Sequence, residues 1–343
     1  MYRIVLTQAE IEAIQPLLND LASRYRTVED PEFIHNLSVY AHELPRRLRS
    51  FLNDFRLKEP DGVCIVSGYP IDDSKVGKTP EHWKWKADVS PALHEEMFFM
   101  LCGSLLGDIF GWSTQQDGYI LHDVMPIKGH EGEQLGTGSE QKLWWHTEDA
   151  FHPYKGDYVA LMCMRNPDQV PTTVLSADML RLNEEYLRIL REPRYTIRPD
   201  ESHLPKNQSN VQKTDGNYQR LIEGAYERIN KMNTEPQKVP VIFGDPDAPY
   251  MCLDPYFMDL DKLDDESRQA LEALMKEVDE GLVELVLQPG DCCFIDNYRA
   301  VHGRSPFKAH YDGTDRWLKR INITRNLRHS RDARLTAESR IIF

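Results

Sequence analysis

His146 and Glu148, two positions apart in Leu143-Trp144-Trp145-His146-Thr147-Glu148-Asp149, join the distant His302 of Tyr298-Arg299-Ala300-Val301-His302-Gly303 in offering two imidazoles and one carboxylate. Alternate side chains of a strand share one face, so the first pair can point the same way. Two histidines and a carboxylate can hold a non-haem Fe(II) and leave its remaining positions open. That donor set points to oxygen activation.

A histidine two before an acid is not rare here. It also occurs at His94-Glu95-Glu96 and His310-Tyr311-Asp312. His94 and Glu96 open a helical pattern, where positions two apart diverge, and Asp312 opens an Asp312-Gly313 turn. Only His146 stands among aromatics beside a strand, with a second histidine placed downstream. Leu287-Gln288-Pro289-Gly290-Asp291 reads as a turn delivering Cys292-Cys293-Phe294-Ile295-Asp296, after which come His302 and Arg316. A 2-oxo acid held on such an iron through two oxygens needs a cation for its far carboxylate, about one strand away. Arg316 fits that need. A metal-dependent hydrolase could use the same three ligands with a bound water but gives Arg316 no task. A non-enzymatic binding protein of the same fold requires none of these residues.

The elements that must position these groups are read from periodicity. Thr7 caps a helix with Glu10 three residues on and Ile11, Ile14, Leu17, Leu18 and Leu21 along one face. A second helical pattern begins near Pro31 and carries Leu44, Leu48 and Leu52; a third runs from Ala92 to Phe110. Strands are expected at 62–68, 158–164, 172–175, 195–197, 239–243, 283–287, 292–295 and 317–324, with helices at 177–190 and 266–282. The lack of regular βαβ alternation favours a mainly β fold with flanking helices, an antiparallel sandwich or jelly roll. One domain over 1–343 is expected, with a largely helical layer at 1–110 and the β core at 111–330.

Composition narrows the partners. A formal net charge of −14 argues against nucleic acid, which needs clustered Lys and Arg. The six cysteines, Cys64, Cys102, Cys163, Cys252, Cys292 and Cys293, show neither C-x-x-C pairs nor extracellular spacing, so neither a disulfide framework nor a zinc knuckle is expected. No run reaches the roughly 18 to 20 apolar residues that cross a bilayer. A soluble cytoplasmic protein without membrane partners is the expectation; oligomeric state is not legible.

Longer blocks narrow the reading further. Ala41-His42-Glu43-Leu44-Pro45-Arg46-Arg47-Leu48-Arg49, Gly111-Trp112-Ser113-Thr114-Gln115-Gln116-Asp117-Gly118, His146-Thr147-Glu148-Asp149-Ala150-Phe151 and Asp315-Arg316-Trp317-Leu318-Lys319-Arg320-Ile321-Asn322 resemble the clavaminate synthase-like Fe(II)/2-oxoglutarate-dependent oxygenases, in particular those that β-hydroxylate free L-arginine. The resemblance runs from about Ala41 to Arg325. It implies a double-stranded β-helix (jelly roll, cupin-like) with iron between its sheets, held by His146, Glu148 and His302. It implies that Arg316 binds the distal carboxylate of 2-oxoglutarate with Thr173, or Thr172 in its place. Arg320 would take the α-carboxylate of a free amino acid, Gln115 and Glu148 would flank its α-amino group, and Asp200 and Ser202 would belong to a lid near 198–215. Where the arginine hydroxylases offer two carboxylates to the guanidinium, this chain reads Leu253-Asp254-Pro255-Tyr256, keeping Asp254 and replacing the second acid by Tyr256. The implied reaction consumes O2 and 2-oxoglutarate, releases succinate and CO2, and hydroxylates C3 or C4 of L-arginine or a close analogue, in the setting of antibiotic biosynthesis. Citrulline or lysine hydroxylation and arginine 4,5-desaturation are variants on the same scaffold.

Overall fold

A computed structural model describes residues 1–204 and 216–343. Among them, an eight-stranded sheet runs in the order Tyr2–Val5, Val63–Ser67, Cys292–Asp296, Tyr158–Arg165, Trp317–Thr324, Asp108–Trp112 and Ile341–Ile342, with His122–Val124 also pairing onto Trp317–Thr324. A four-stranded antiparallel sheet runs Val283–Leu285, Thr172–Ser176, Ala300–Arg304, Leu143–His146. Strand periodicity sorts the side chains between layers. Val159, Leu161 and Cys163 share one core with Val63, Ile65, Cys293, Ile295 and, from the smaller sheet, Val174. Ala160, Met162 and Met164 pack instead with Cys64, Val66 and Phe294 against the N-terminal helices. Covered on both faces, Tyr158–Arg165 reads as an unbroken apolar run rather than an alternating one.

The helical layer comprises Gln8–Arg24, Pro31–Ala41, Arg46–Lys58 and Leu93–Ser104. Thr7 and Glu10 form the expected capping box. Three sequence expectations are corrected. The pattern from Pro31 to Leu52 is two helices, because Pro45 restricts the residue before it and sits as the N-cap of the second. The helix expected to reach Phe110 ends at Ser104. There the chain turns through Gly107, where a Cβ would lie 2.4 Å from the Thr324 carbonyl, and Ile109 and Phe110 enter a strand. The expected helix at 177–190 shortens to a 3-10 turn at Ala177–Met179 and the helix Glu184–Leu190, capped by Asn183. That helix and Asp265–Gly281 cover the outer face of the smaller sheet through Leu190, Leu271 and Leu274 against Trp145, Leu175 and Val301. All six cysteines are free and buried. No described helix is long and apolar enough to cross a membrane.

Candidate active site

His146 and His302 are direct register partners on adjacent antiparallel strands. Their ring centroids lie 4.6 Å apart. Glu148 follows in the turn after the His146 strand, and its Oε2 lies 3.6 Å from His146 Nε2 and 3.2 Å from His302 Nε2. Ligands about 2.1 Å from a shared ion at right angles would be about 3 Å apart, close to the two separations from Glu148 Oε2. His146 Nδ1 donates to the Trp144 carbonyl at 2.7 Å, which turns the Nε2 lone pair toward Glu148. Buried Asn297 holds the carboxylate's backbone from both sides, accepting from Glu148 N at 2.6 Å and donating to Glu148 O at 2.9 Å. The residue after His302 must be glycine, since a Cβ at Gly303 would sit 2.6 Å from the Leu143 carbonyl. The donor set therefore fits a divalent iron. Burial opposes charge on His146, but the hydrogen bond to Glu148 lifts it to about 9, while burial and the neighbouring His146 push His302 down. Burial also works against the Glu148 carboxylate, yet Arg320 and both histidines hold it well below the usual range.

Arg316 stands in the same cavity and, among the described residues, makes a single hydrogen bond, from Nη2 to Thr172 Oγ1 at 3.1 Å, while its Nε has no partner there. Burial alone lowers it to about 10. A buried cation without a counter-ion is costly, and a carboxylate is the group that relieves it. The hydroxyl beside it corrects the expectation for Thr173. Thr172 and Val174 point between the sheets, whereas Thr173 points outward, where a Cβ on its register partner Gly303 would lie 3.0 Å from Thr173 Oγ1. Arg304, which the sequence reading missed, lines this cavity too and clamps the 131–142 loop through the Gly138 and Gln141 carbonyls.

Arg320, on the same strand face as Arg316 and Leu318, donates to Glu148 Oε1 at 2.5 Å and to Gln115 Oε1 at 3.0 Å. Gln115 passes its own amide to Ser202 Oγ at 2.6 Å, and Ser202 in turn donates to Asp200 Oδ1 at 2.5 Å. Asp200 and Ser202 thus line the cavity; residues 205–215 of the expected lid lie outside the described residues. The root of that segment is pinned by His203, whose Nε2 lies 2.9 Å from Asp149 Oδ1, while Trp112 Nε1 donates to the other Asp149 oxygen at 2.6 Å. Gln116 and Asp117 carry φ of 40° and 55°, and Gly118 has φ of 80°. Left-handed backbone in the first two costs roughly 1 to 2 kcal/mol per residue, and the turn they make delivers Gln115 on one side and Tyr119 on the other. At the far end, Asp254 is tied to the segment joining His146 and Glu148 by Thr147 N donating to Leu253 O at 2.9 Å and Leu253 N to Thr147 Oγ1 at 3.1 Å. Burial, with Asp200 adding to it, pushes the Asp254 carboxyl up to about 7 against the opposing pull of His146. Tyr256 lines the mouth with half its surface exposed, edge-on to Phe257.

Asn297, His122, His203 and Arg304 were missed because each acts through a partner remote in sequence. No local spacing announces them.

The two-sheet scaffold with this donor set has a family. Residues 61–322 match the Taurine catabolism dioxygenase TauD, TfdA family, and the chain belongs to that family. It is an Fe(II)/2-oxoglutarate-dependent oxygenase. It is 49% identical over 344 residues to an L-ornithine/L-arginine 3-hydroxylase of Catenulispora acidiphila, with both chains fully covered. It is 44% identical over 343 residues to an enduracididine beta-hydroxylase of Streptomyces hygroscopicus, again with both fully covered. Among solved structures, it is similar to the non-heme iron oxygenase OrfP in complex with Fe, succinate and (3S)-hydroxy-L-Arg, at a TM-score of 0.92 and 44% identity over the whole of both chains.

Proposed function

We propose that this enzyme hydroxylates C3 of free L-arginine, with 2-oxoglutarate and O2 becoming succinate and CO2. The observation that carries the reading is the convergence, in one cavity, of the His146, Glu148 and His302 donors with the uncompensated Arg316 cation. The two sheets are read as the halves of a double-stranded β-helix within one domain, and the six free cysteines favour the cytoplasm. His146, Glu148 and His302 would hold the iron, and Arg316 with Thr172 the distal carboxylate of 2-oxoglutarate. With both groups bound, the iron supplies the oxidising power that removes hydrogen from an unactivated carbon. The chain's own task is register. Arg320 holds the substrate carboxylate, Gln115 and Glu148 flank the amino group, and Asp254 pairs with the side-chain cation under the Asp200 and Ser202 segment. The carbon presented to the metal is the one attacked.

Purified protein given Fe(II), 2-oxoglutarate and L-arginine is expected to yield arginine plus one oxygen, located at C3 by NMR, with an equal amount of succinate. Loss of two hydrogens would mean desaturation. No succinate dependent on arginine, ornithine, citrulline or lysine would sink the reading.

Asp254 makes that activity pH-dependent. Only its ionised form pairs with a cation, so the arginine KM is expected to fall as pH rises from 6 to 8 through a carboxyl pushed up to about 7. Asp254→Asn raises the arginine KM about 30-fold or more and flattens that trend. The same shift has the opposite sign for folding. The ligand-free chain loses stability as pH climbs from the ordinary carboxylate range to about 7, because the unfolded state has already released its proton. Melting curves of the two proteins from pH 4 to 7 measure this; parallel curves would contradict it.

A further inference from the structure

We propose that His122 is a positioning residue for the amino-acid carboxylate site, a neutral hydrogen-bond acceptor that holds the Arg320 guanidinium in plane without cancelling its charge. The proposal rests on the reading of Arg320 as the carboxylate-binding residue.

His122 is buried, and it is the register partner of Arg320 on the neighbouring antiparallel strand. Its Nδ1 lies 2.8 Å from Arg320 Nη2, and its Nε2 lies 3.0 Å from the Tyr119 carbonyl. A guanidinium only donates and a carbonyl only accepts, so both contacts demand one tautomer, with the proton on Nε2 and the lone pair on Nδ1. A protonated ring would press N–H against the guanidinium. Burial, then Arg320 and Lys86, hold the ring's pKa well below its usual value, which keeps that lone pair available. The Tyr119 carbonyl that sets the tautomer is itself presented by the strained Gln116-Asp117-Gly118 turn.

The remaining contacts of Arg320 show why a neutral acceptor suits the place. Nη1 goes to Glu148, a carboxylate the metal would also claim, and Nη2 to Gln115 and His122, while Nε has no partner among the described residues. An acidic residue at 122 would orient the fork equally well, but it would compete with the carboxylate of the substrate for the same charge. An apolar residue would leave the charge and lose the orientation.

The test is steady-state turnover of L-arginine by the Fe(II)-loaded enzyme and its His122→Phe, His122→Asn and His122→Asp variants. Asn keeps an acceptor near the place of Nδ1. His122→Phe and His122→Asp are each expected to raise the arginine KM about tenfold or more, with the 2-oxoglutarate KM within about twofold. In His122→Phe, succinate is expected to exceed hydroxylated product; His122→Asn is expected to stay within about threefold of wild type on all three readouts. Should His122→Phe fail to fold, the Asn and Asp pair decides. His122→Asn as impaired as His122→Asp or His122→Phe, or both KM values rising together, would overturn the positioning role. Arg320→Met in the same series separates the two ideas. An unchanged arginine KM there overturns the carboxylate reading itself, whereas a raised one with silent His122 variants overturns only the present proposal.

Discussion

Replacing His302 by alanine lowers kcat/KM by at least about 1,000-fold, equivalent to about 4 kcal/mol of transition-state stabilisation, and abolishes tight anaerobic Fe(II) binding. Loss of a residue that merely orients a metal ligand typically costs 10- to 100-fold, so loss of a direct ligand must exceed that range. His302 Nε2 and His146 Nε2 stand 3.2 Å and 3.6 Å from the same Glu148 oxygen, and no other described histidine joins them in a cluster with metal-ligand spacing. The control is His94→Ala. His94 also precedes an acid by two positions, but it sits on the helix Leu93–Ser104, away from the cavity, and its removal is expected to leave Fe(II) affinity unchanged. Fe(II) titration under argon, with circular dichroism to show that the strand Ala300–Arg304 still forms, decides the matter. A His302→Ala protein that binds iron as tightly as wild type would remove the basis for the triad.

Arg316→Met separates binding from stability. The pair between a buried guanidinium and the distal carboxylate of 2-oxoglutarate is worth about 2 to 5 kcal/mol when one partner is truncated, so the 2-oxoglutarate KM is expected to rise between about 30-fold and about 4,000-fold. The ligand-free variant is expected to melt higher, not lower. Arg316 is buried with, among the described residues, one neutral hydrogen-bond partner, Thr172, and its desolvation is unrelieved in the ligand-free chain. Exchanging it for an apolar side chain of similar reach removes that penalty; about 1 kcal/mol corresponds to a rise of roughly 2 °C in a chain of this size. Adding 2-oxoglutarate then stabilises the wild type and not the variant. A variant that keeps the wild-type KM for 2-oxoglutarate would show that another group, with Arg304 the nearest candidate, holds the carboxylate.

The pairing of Arg316 with Arg320 illustrates what a single chain segment can reveal. Positions 316, 318 and 320 share a strand face whatever the strand packs against, so the two cations were bound to emerge on one side, with Lys319 turned the other way onto Glu96 and Asp123. His146 and Glu148 were singled out on the same alternation, although the strand ends at His146 and Glu148 stands in the turn after it, held there by Asn297; the capping box at Thr7 was legible because a cap is complete within four residues. The helix running past Ser104 was misread because apolar Ile109 and Phe110 suit a helix as well as a buried strand.

The candidate metal donors, both arginines, the N-terminal helices and most of the core strands were thus legible in the chain by itself, since patterns that span only a few residues mark them out. Tertiary structure alone decided that Thr172 rather than Thr173 faces the cavity, that Asn297 clasps Glu148, and that His122 lies against Arg320. Those facts depend on how strands far apart in sequence fall into register, and register is set by closing both sheets around one core rather than by any local pattern.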